Sequence, residues 1–526
     1  MDAVMSRSAG GTVATRRRAR LLRTMDIGIV GAGAAAVCLL DALSQADSPV
    51  GRVTVFDPVA RPWRGRPYAT DVPAARVNAV PREMSIRHGD PDHFARWLRQ
   101  SGHLVAPDPW TGTPFVARAV YGDYLADSAA AAIARLRERG WQVALERTVV
   151  TAAVLADERV VLRTAKGRHH AADYTVLCVG VGRPHDSYAL RGRPGFVADP
   201  YPLARSLPAI HPEAHVAVLG SGLTAVDTVL GLTAQGHQGP ISLVSRHGVL
   251  PAVRQRPVDV ELRHFTPERL RAWARRGDPV PLARLVDLMR RELADGGHDE
   301  PRLAEEIFDL GRQGPVDRLR RQLTEVDDPD LGLRVLQRAV PETGPDVWPL
   351  LSAADRTHIL THHYRALMSL CCPMPPSTAV TLLALADAGQ LRVRSGLHGV
   401  RQRAGGGFTL ATAHEDLSCD TLVNAVSPPA HRIPVQARAL VASLVAAGAA
   451  AAHPHGGLAV ERATSRLTVE GRPSTRLHAL GDLAAGSLFF TFGIPSLVDR
   501  GADITQAMIT HAELADRASP RVLALR

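Results

Sequence analysis

Asp26–Leu43 reads DIGIVGAGAAAVCLLDAL. Ile27–Val30 is the unbroken apolar run of a short buried strand, and an apolar helix follows the glycines. Between them Gly31-Ala-Gly33-Ala-Ala-Ala36 spells G-x-G-x-x-A. Gly31 permits a tight turn, Gly33 lets a pyrophosphate approach the backbone, and Ala36 lets helix and strand pack closely. The amides at the helix N-terminus then receive negative charge. A second strand, Arg52–Phe56, ends at Asp57, 24 residues past Gly33, where a carboxylate accepts hydrogen bonds from ribose hydroxyls.

The pattern returns at His215–Leu232, HVAVLGSGLTAVDTVLGL. Val216–Leu219 is the strand, and Gly220-Ser-Gly222-Leu-Thr224-Ala225 is again G-x-G-x-x-A. The next strand, Ile241–Val244, ends in Ser245-Arg246-His247, and Arg246 lies 24 residues past Gly222. A guanidinium at that place suits a 2′-phosphate and offers nothing special to a bare diol. The second unit is therefore expected to take NADPH rather than NADH. Two nucleotide-binding units with contrasting ribose ends fit a flavoprotein, with FAD on the acidic site and NADPH on the basic one. Tyr174–Val179 reads as a buried strand leading into Gly180-Val-Gly182, a backbone approach to FAD, with Cys178 as core.

Three further segments carry a resemblance. They are Gly65-Arg-Pro-Tyr68, the run Val77-Asn78-Ala-Val-Pro-Arg-Glu-Met84-Ser85, and Phe115-Val-Ala-Arg118-Ala-Val-Tyr121-Gly122-Asp-Tyr124-Leu125. With Leu480-Gly481-Asp482 and Ile494-Pro495 near the end, the chain resembles the bacterial FAD/NAD(P)-binding flavoproteins with two dinucleotide-binding domains. The resemblance covers about Asp26–Val260 and Gly389–Gln506. It implies relation to the flavin monooxygenases that N-hydroxylate amines or oxidise ketones. It also implies that the Asp482 carboxylate meets the flavin ribityl chain, and that Asn78, Met84, Ser85 and Phe489–Gly493 line the flavin ring. Two departures bear on the substrate. Where such proteins often carry a Trp and an H-R-H-R cluster before a Pro pair, this chain reads Met368-Ser-Leu-Cys371-Cys372-Pro373-Met374-Pro375-Pro376. Where they tend to read N-x-x-G-P, it has Asn424-Ala-Val-Ser427-Pro428.

Composition narrows the classes. The 526 residues carry 62 basic and 52 acidic side chains, a net +10, and residues 1–23 hold six arginines against one acid. Half the excess thus sits on a leader rather than on a basic face, which argues against a nucleic-acid binder. Aromatics at 4% are too few for base-stacking platforms. Lys166 is the sole lysine, so no phosphate loop of the G-K-[ST] type exists, and a Schiff-base mechanism is not expected. Five cysteines without a C-x-x-C point to a reducing compartment. Basic residues before Ile27–Leu40 imitate a secretory signal, but the glycines at fingerprint spacing and the opening Asp26 speak against it. The run Ala439–Ala452 is too short to span a bilayer. A cytoplasmic protein with no membrane or nucleic-acid partner is expected.

The fold class is α/β: two Rossmann-like dinucleotide-binding domains, the FAD domain discontinuous and the NADPH domain inserted into it, with a helical insert. Residues 1–24 read as a disordered basic tail and 25–195 with 389–515 as the FAD domain. Residues 200–260 read as the NADPH domain. Leu and Arg at helical spacing make 262–388 the helical insert. The function expected is an FAD-dependent, NADPH-using oxidoreductase. A monooxygenase consuming O2 on a small amine, amino acid or related metabolite through a flavin hydroperoxide leads. A flavin-linked dehydrogenase or reductase without oxygen insertion, or a non-catalytic flavin-binding protein, are the alternatives. No catalytic base is assigned, and no metal is expected: His358 and His362 share a helix face, but no Glu follows His358, and adjacent Cys371 and Cys372 suit one tetrahedral site poorly.

Overall fold

The computed structural model describes residues 24–518 apart from 157, 278–279, 299, 309, 311 and 427–432. The basic leader and Ser427-Pro428 therefore lie outside the described residues.

The apolar run at the first fingerprint forms the strand Met25–Val30, and it sits at the centre of a six-stranded sheet. The order is Arg466–Val469, Arg472–Ala479, Tyr174–Leu177, Met25–Val30, Gly51–Phe56, Gln142–Glu146. All pairings are parallel except that of the first two strands. The helix Ala34–Gln45 covers one face, buried along Ala36, Val37, Leu39, Leu40 and Leu43. It packs between the sheet and the last helix, Ile494–Ala518, whose Gly501 lies against the Cys38 backbone. An antiparallel sheet, Val150–Ala156, Arg159–Thr164 and His169–Ala172, covers the other face together with the helix Arg438–Ala446.

The second fingerprint opens a second, wholly parallel sheet. Its order is Leu391–Arg394, Ile241–Val244, Val216–Leu219, Thr421–Asn424, Phe196–Val197. This corrects one expected boundary. Residues 391–424 do not rejoin the first sheet: Leu391–Arg394 pairs with Ile241–Val244, and Thr421–Asn424 pairs with Val216–Leu219. The chain returns to the first sheet's side only with Arg438–Ala446 and the strands after it. A four-residue apolar strand looks the same in either sheet, so pattern alone could not assign it. The helix Pro376–Asp387 likewise packs into the second sheet's core through Ala379, Leu382 and Leu383.

Among the described residues between Thr266 and Cys371 the regular structure is all helical. The local rules are visible in its first helix, Pro267–Arg276. Thr266 accepts a hydrogen bond from the Arg269 amide, Pro267 occupies the first turn, and Gly277 closes the helix at φ 76°. The apolar stripes of these helices meet around Leu285, Leu288, Val335, Leu336 and Trp348, and Phe489 and Phe490 from the chain's C-terminal part join that core. Among the described residues no helix is long and apolar enough to cross a membrane.

Candidate functional site

Each glycine turn adopts the backbone that its residue types allow. Gly31 has φ 106°, and a Cβ there would lie 2.2 Å from the Cys178 carbonyl oxygen, so only glycine fits. Gly33 is extended, opens the helix without a side-chain cap, and lies against Gly65, whose Cα would be 3.8 Å from an added Cβ. The first-turn amides thus face a cradle of bare backbone. Ala36 is fully buried under the sheet. The Asp57 carboxylate is drawn into the turn: it accepts hydrogen bonds from the amides of Ala32 at 2.7 Å and Val59 at 2.9 Å. The acid therefore stands beside the first fingerprint, where a ribose would meet it.

The second turn repeats the geometry with different chemistry. Gly220 has φ 110°, Gly222 opens its helix with nothing within 4 Å of where a Cβ would be, and Ala225 is buried. Thr224 is half-buried in the first turn, its carbonyl accepting from the Thr228 hydroxyl. The Ser245 hydroxyl is paired with Ser221 at 3.0 Å and accepts the Gly248 amide at 2.9 Å, and so shapes the turn. Arg246 is exposed; its carbonyl accepts the Gly396 amide at 3.1 Å, and its side chain has no hydrogen-bond or ion-pair partner among the described residues.

Between the two sheets runs the loop that holds Asn78, Met84 and Ser85. Its anchors come from the helix Arg118–Glu138. The Tyr121 hydroxyl donates to the Met84 carbonyl at 3.0 Å, and the Tyr124 hydroxyl accepts the Ile86 amide at 3.1 Å. Gly122 is required because a Cβ would sit 1.9 Å from the Tyr68 carbonyl oxygen. These roles explain residues that sequence reasoning had quoted without function. Met84 is packed in the first core, and the Ser85 hydroxyl donates to the Asp90 carbonyl at 2.6 Å and accepts the Arg87 amide within its own loop. Asn78 is half-buried, and its carbonyl accepts from Arg254 at 2.9 Å; the same guanidinium pairs with Glu83 at 3.1 Å. Arg254 carries no local motif and could not have been found from the sequence.

The remaining site residues lie on the first sheet's far strands. Gly180 has φ 62° with open space beside it, and Gly481 has φ 90°. Burial pushes the Asp482 carboxyl up to about 6, and no side chain is hydrogen-bonded to it. Tyr364, from the helical insert, lies within electrostatic reach of both Asp482 and Cys372; burial first, and then those two groups, push its hydroxyl up. The Phe489–Gly493 expectation is corrected in part. Phe489 and Phe490 point into the insert's core, Phe489 stacked on Trp348 at 4.6 Å, while Phe492 remains partly exposed. Thr491 and Ser496, near the start of the last helix, are buried with hydroxyls that have no partner among the described residues.

These observations fit FAD. The Gly31–Gly33–Gly65 backbone cradle, Asp57 beside it, the unpaired Asp482 carboxyl and the two orphaned hydroxyls are groups that a dinucleotide would satisfy. The cysteine pair fits a packing role: Cys371 is buried, and burial pushes the Cys372 thiol up to about 12. Among the described residues no group of three or more His, Cys, Asp or Glu could hold a metal ion.

The fold and the first turn define a flavoprotein fold with two dinucleotide-binding domains. Residues 28–182 match the model of the family described as FAD-NAD(P)-binding. Solved structures of similar fold include the ornithine N-hydroxylase of Kutzneria sp. 744 with reduced FAD, NADP+ and L-ornithine. It has 14% identity and a TM-score of 0.57, over 93% of this chain and 100% of that one. The FAD-bound cadaverine monooxygenase of desferrioxamine biosynthesis from Erwinia amylovora has 15% identity and a TM-score of 0.59, over 93% and 95%. L-lysine 6-monooxygenase from Pseudomonas syringae has 17% and 0.58, over 93% and 99%. A comparison with curated proteins gives no match.

Proposed function

We propose that this chain is an FAD-dependent, NADPH-using monooxygenase that oxidises a small amine or amino acid with O2. The carrying observation is the contrast between two otherwise matching turns: an acid drawn into the first and an unpaired arginine beside the second. Support for the amine comes from the similar structures, which are those of ornithine, lysine and cadaverine enzymes. Bound FAD would supply the two-electron chemistry and the reaction of reduced flavin with O2.

The chain's own residues do the positioning. In this reading Asp57 accepts from the FAD ribose, and the first-turn amides after Gly33 take the pyrophosphate. Asp482 accepts from the ribityl chain, and Arg246 takes the NADPH 2′-phosphate. Arg254 fastens the Asn78 loop to the segment that follows the second fingerprint, so the two halves of the site keep their distance. The core built by Trp348, Phe489 and Tyr364 keeps water from one side of the site.

The test is anaerobic mixing of the flavin-loaded protein with NADPH, followed by air and a panel of ornithine, lysine and cadaverine. Bleaching of the flavin, and hydroxylated amine formed in proportion to oxygen consumed, is the expected result. Flavin that stays oxidised would establish a non-catalytic binder. Oxygen recovered wholly as hydrogen peroxide with every amine would establish a reductase.

A further inference from the structure

Arg246 is not the only cation at its place without a counter-charge. Most arginines of the helical segment are paired: Arg318 with Glu306, Arg302 with Asp328, Arg321 with Glu325, Arg338 with Glu342. Arg365 is an exception. It is the second residue of the helix Tyr364–Cys371, half-buried, and among the described residues it has no hydrogen-bond or ion-pair partner.

Hydrogen bonds bring Arg365 to Arg246. The Ser369 hydroxyl donates to the Leu250 carbonyl at 2.7 Å, and the Ala252 amide donates to the Ser369 carbonyl at 3.0 Å. The helix is thereby fastened along the segment that leaves the second fingerprint. Arg365 precedes Ser369 by four residues and so lies on the same helix face, one turn earlier. Arg246 precedes Leu250 by four residues on the facing segment. The two guanidinium groups are near enough to interact: burial first, and then the like charge of Arg246, lower the Arg365 pKa. Arg246 also acts on the Tyr188 phenol, which burial pushes up. Groups from three separate segments thus converge at the ribose end of the second turn.

Two like charges held together with no acid between them repel, and one is partly desolvated. A dianion placed between them removes both penalties and accepts from both planar forks. We propose that Arg365 is a second arm of the 2′-phosphate site, so that the helical insert, and not only the nucleotide-binding sheet, sets the preference for the phosphorylated cofactor. The ligand class is the phosphate monoester on an adenosine ribose. This rests on the NADPH reading of the second fingerprint and adds to it a residue that no fingerprint contains.

The experiment compares the flavin-loaded wild type with Arg365→Gln, Arg365→Lys and Arg246→Gln. It reads the Kd of NADPH, NADH and 2′,5′-ADP by calorimetry, with the flavin spectrum as the folding control. Arg365→Gln should weaken NADPH and 2′,5′-ADP by roughly tenfold or more, the scale of one charge-assisted hydrogen bond, and leave NADH unchanged. Arg365→Lys should retain part of the affinity, and a rise in salt should weaken 2′,5′-ADP less in Arg365→Gln than in wild type. Equal weakening of NADPH and NADH by Arg365→Gln would overturn the proposal, as would no effect there while Arg246→Gln loses NADPH. Wild-type protein that binds NADPH and NADH alike would instead overturn the underlying NADPH reading.

Discussion

Asp482 shows how a single residue carries a tension that a ligand relieves. Its carboxyl has no side-chain partner, and burial raises it to about 6, above the value of about 3.9 for an unfolded aspartate. The folded chain therefore holds the proton more tightly than the unfolded chain. Stability is lost as pH rises from about 4 to about 6, and the loss is complete above that. Asp482→Asn should stabilise the flavin-free protein by about 1–2 kcal/mol at pH 7.5 and leave it unchanged near pH 4, read by thermal melts at both. The same variant should bind FAD more weakly. Much of this scale was legible in the sequence. The positive φ of Gly31 and Gly220, and the placing of Asp57 and Arg246, follow from short contiguous motifs. The hydrogen bonds of the Ser85 and Ser245 hydroxyls were not legible, because their partners, Asp90, Ser221 and Gly248, belong to turns whose closure the motif does not encode.

Between elements, the clearest link is a buried ion pair. Arg118 on the helix Arg118–Glu138 meets Asp227 on the helix Leu223–Ala234 at 2.8 Å, and the Tyr201 hydroxyl donates to the same carboxylate. Burial pushes Asp227 up while Arg118 and Tyr201 pull it back; burial works against the Arg118 charge, and Asp227 more than restores it. The pair joins a helix of the first domain to the first-fingerprint-like helix of the second. Arg118→Met alone should cost about 3–5 kcal/mol, because an unpaired buried carboxylate remains. Arg118→Met with Asp227→Leu should recover much of that, measured by chemical denaturation of all three variants. A larger loss in the double variant would refute the account. Arg118 stood in a quoted motif, yet its partner could not be read, since Asp227 lies on another sheet's helix.

For the molecule as a whole, Trp348 fastens the helical segment to the C-terminal part of the chain, beside the Arg462–Asp346 ion pair. Trp348 stacks on Phe489 with rings 22° from parallel, and its indole N–H donates to the Gly486 carbonyl at 2.8 Å. Phe489 belongs to the C-terminal segment that follows Asp482, so this contact sets the insert against the flavin end of the site. Trp348→Ala should cost about 3–5 kcal/mol, and FAD should be retained less well after gel filtration. Trp348→Phe should keep most of both, since it preserves the stack and loses only one hydrogen bond. Similar losses from Phe and Ala would show that the hydrogen bond, not the stack, holds the insert.

Residue order by itself determined the two nucleotide turns, the acid and the arginine that end them, and the helical character of the central segment. Each is a local property, set by backbone conformations and periodicities a few residues long. Only the tertiary structure decided that Leu391–Arg394 and Thr421–Asn424 extend the second sheet, that Arg254 grips the Asn78 loop, and that the helix carrying Arg365 is fastened to the segment that follows Arg246. Those outcomes depend on which apolar faces bury one another. Short strands and amphipathic helices of one composition look alike until packing chooses between them.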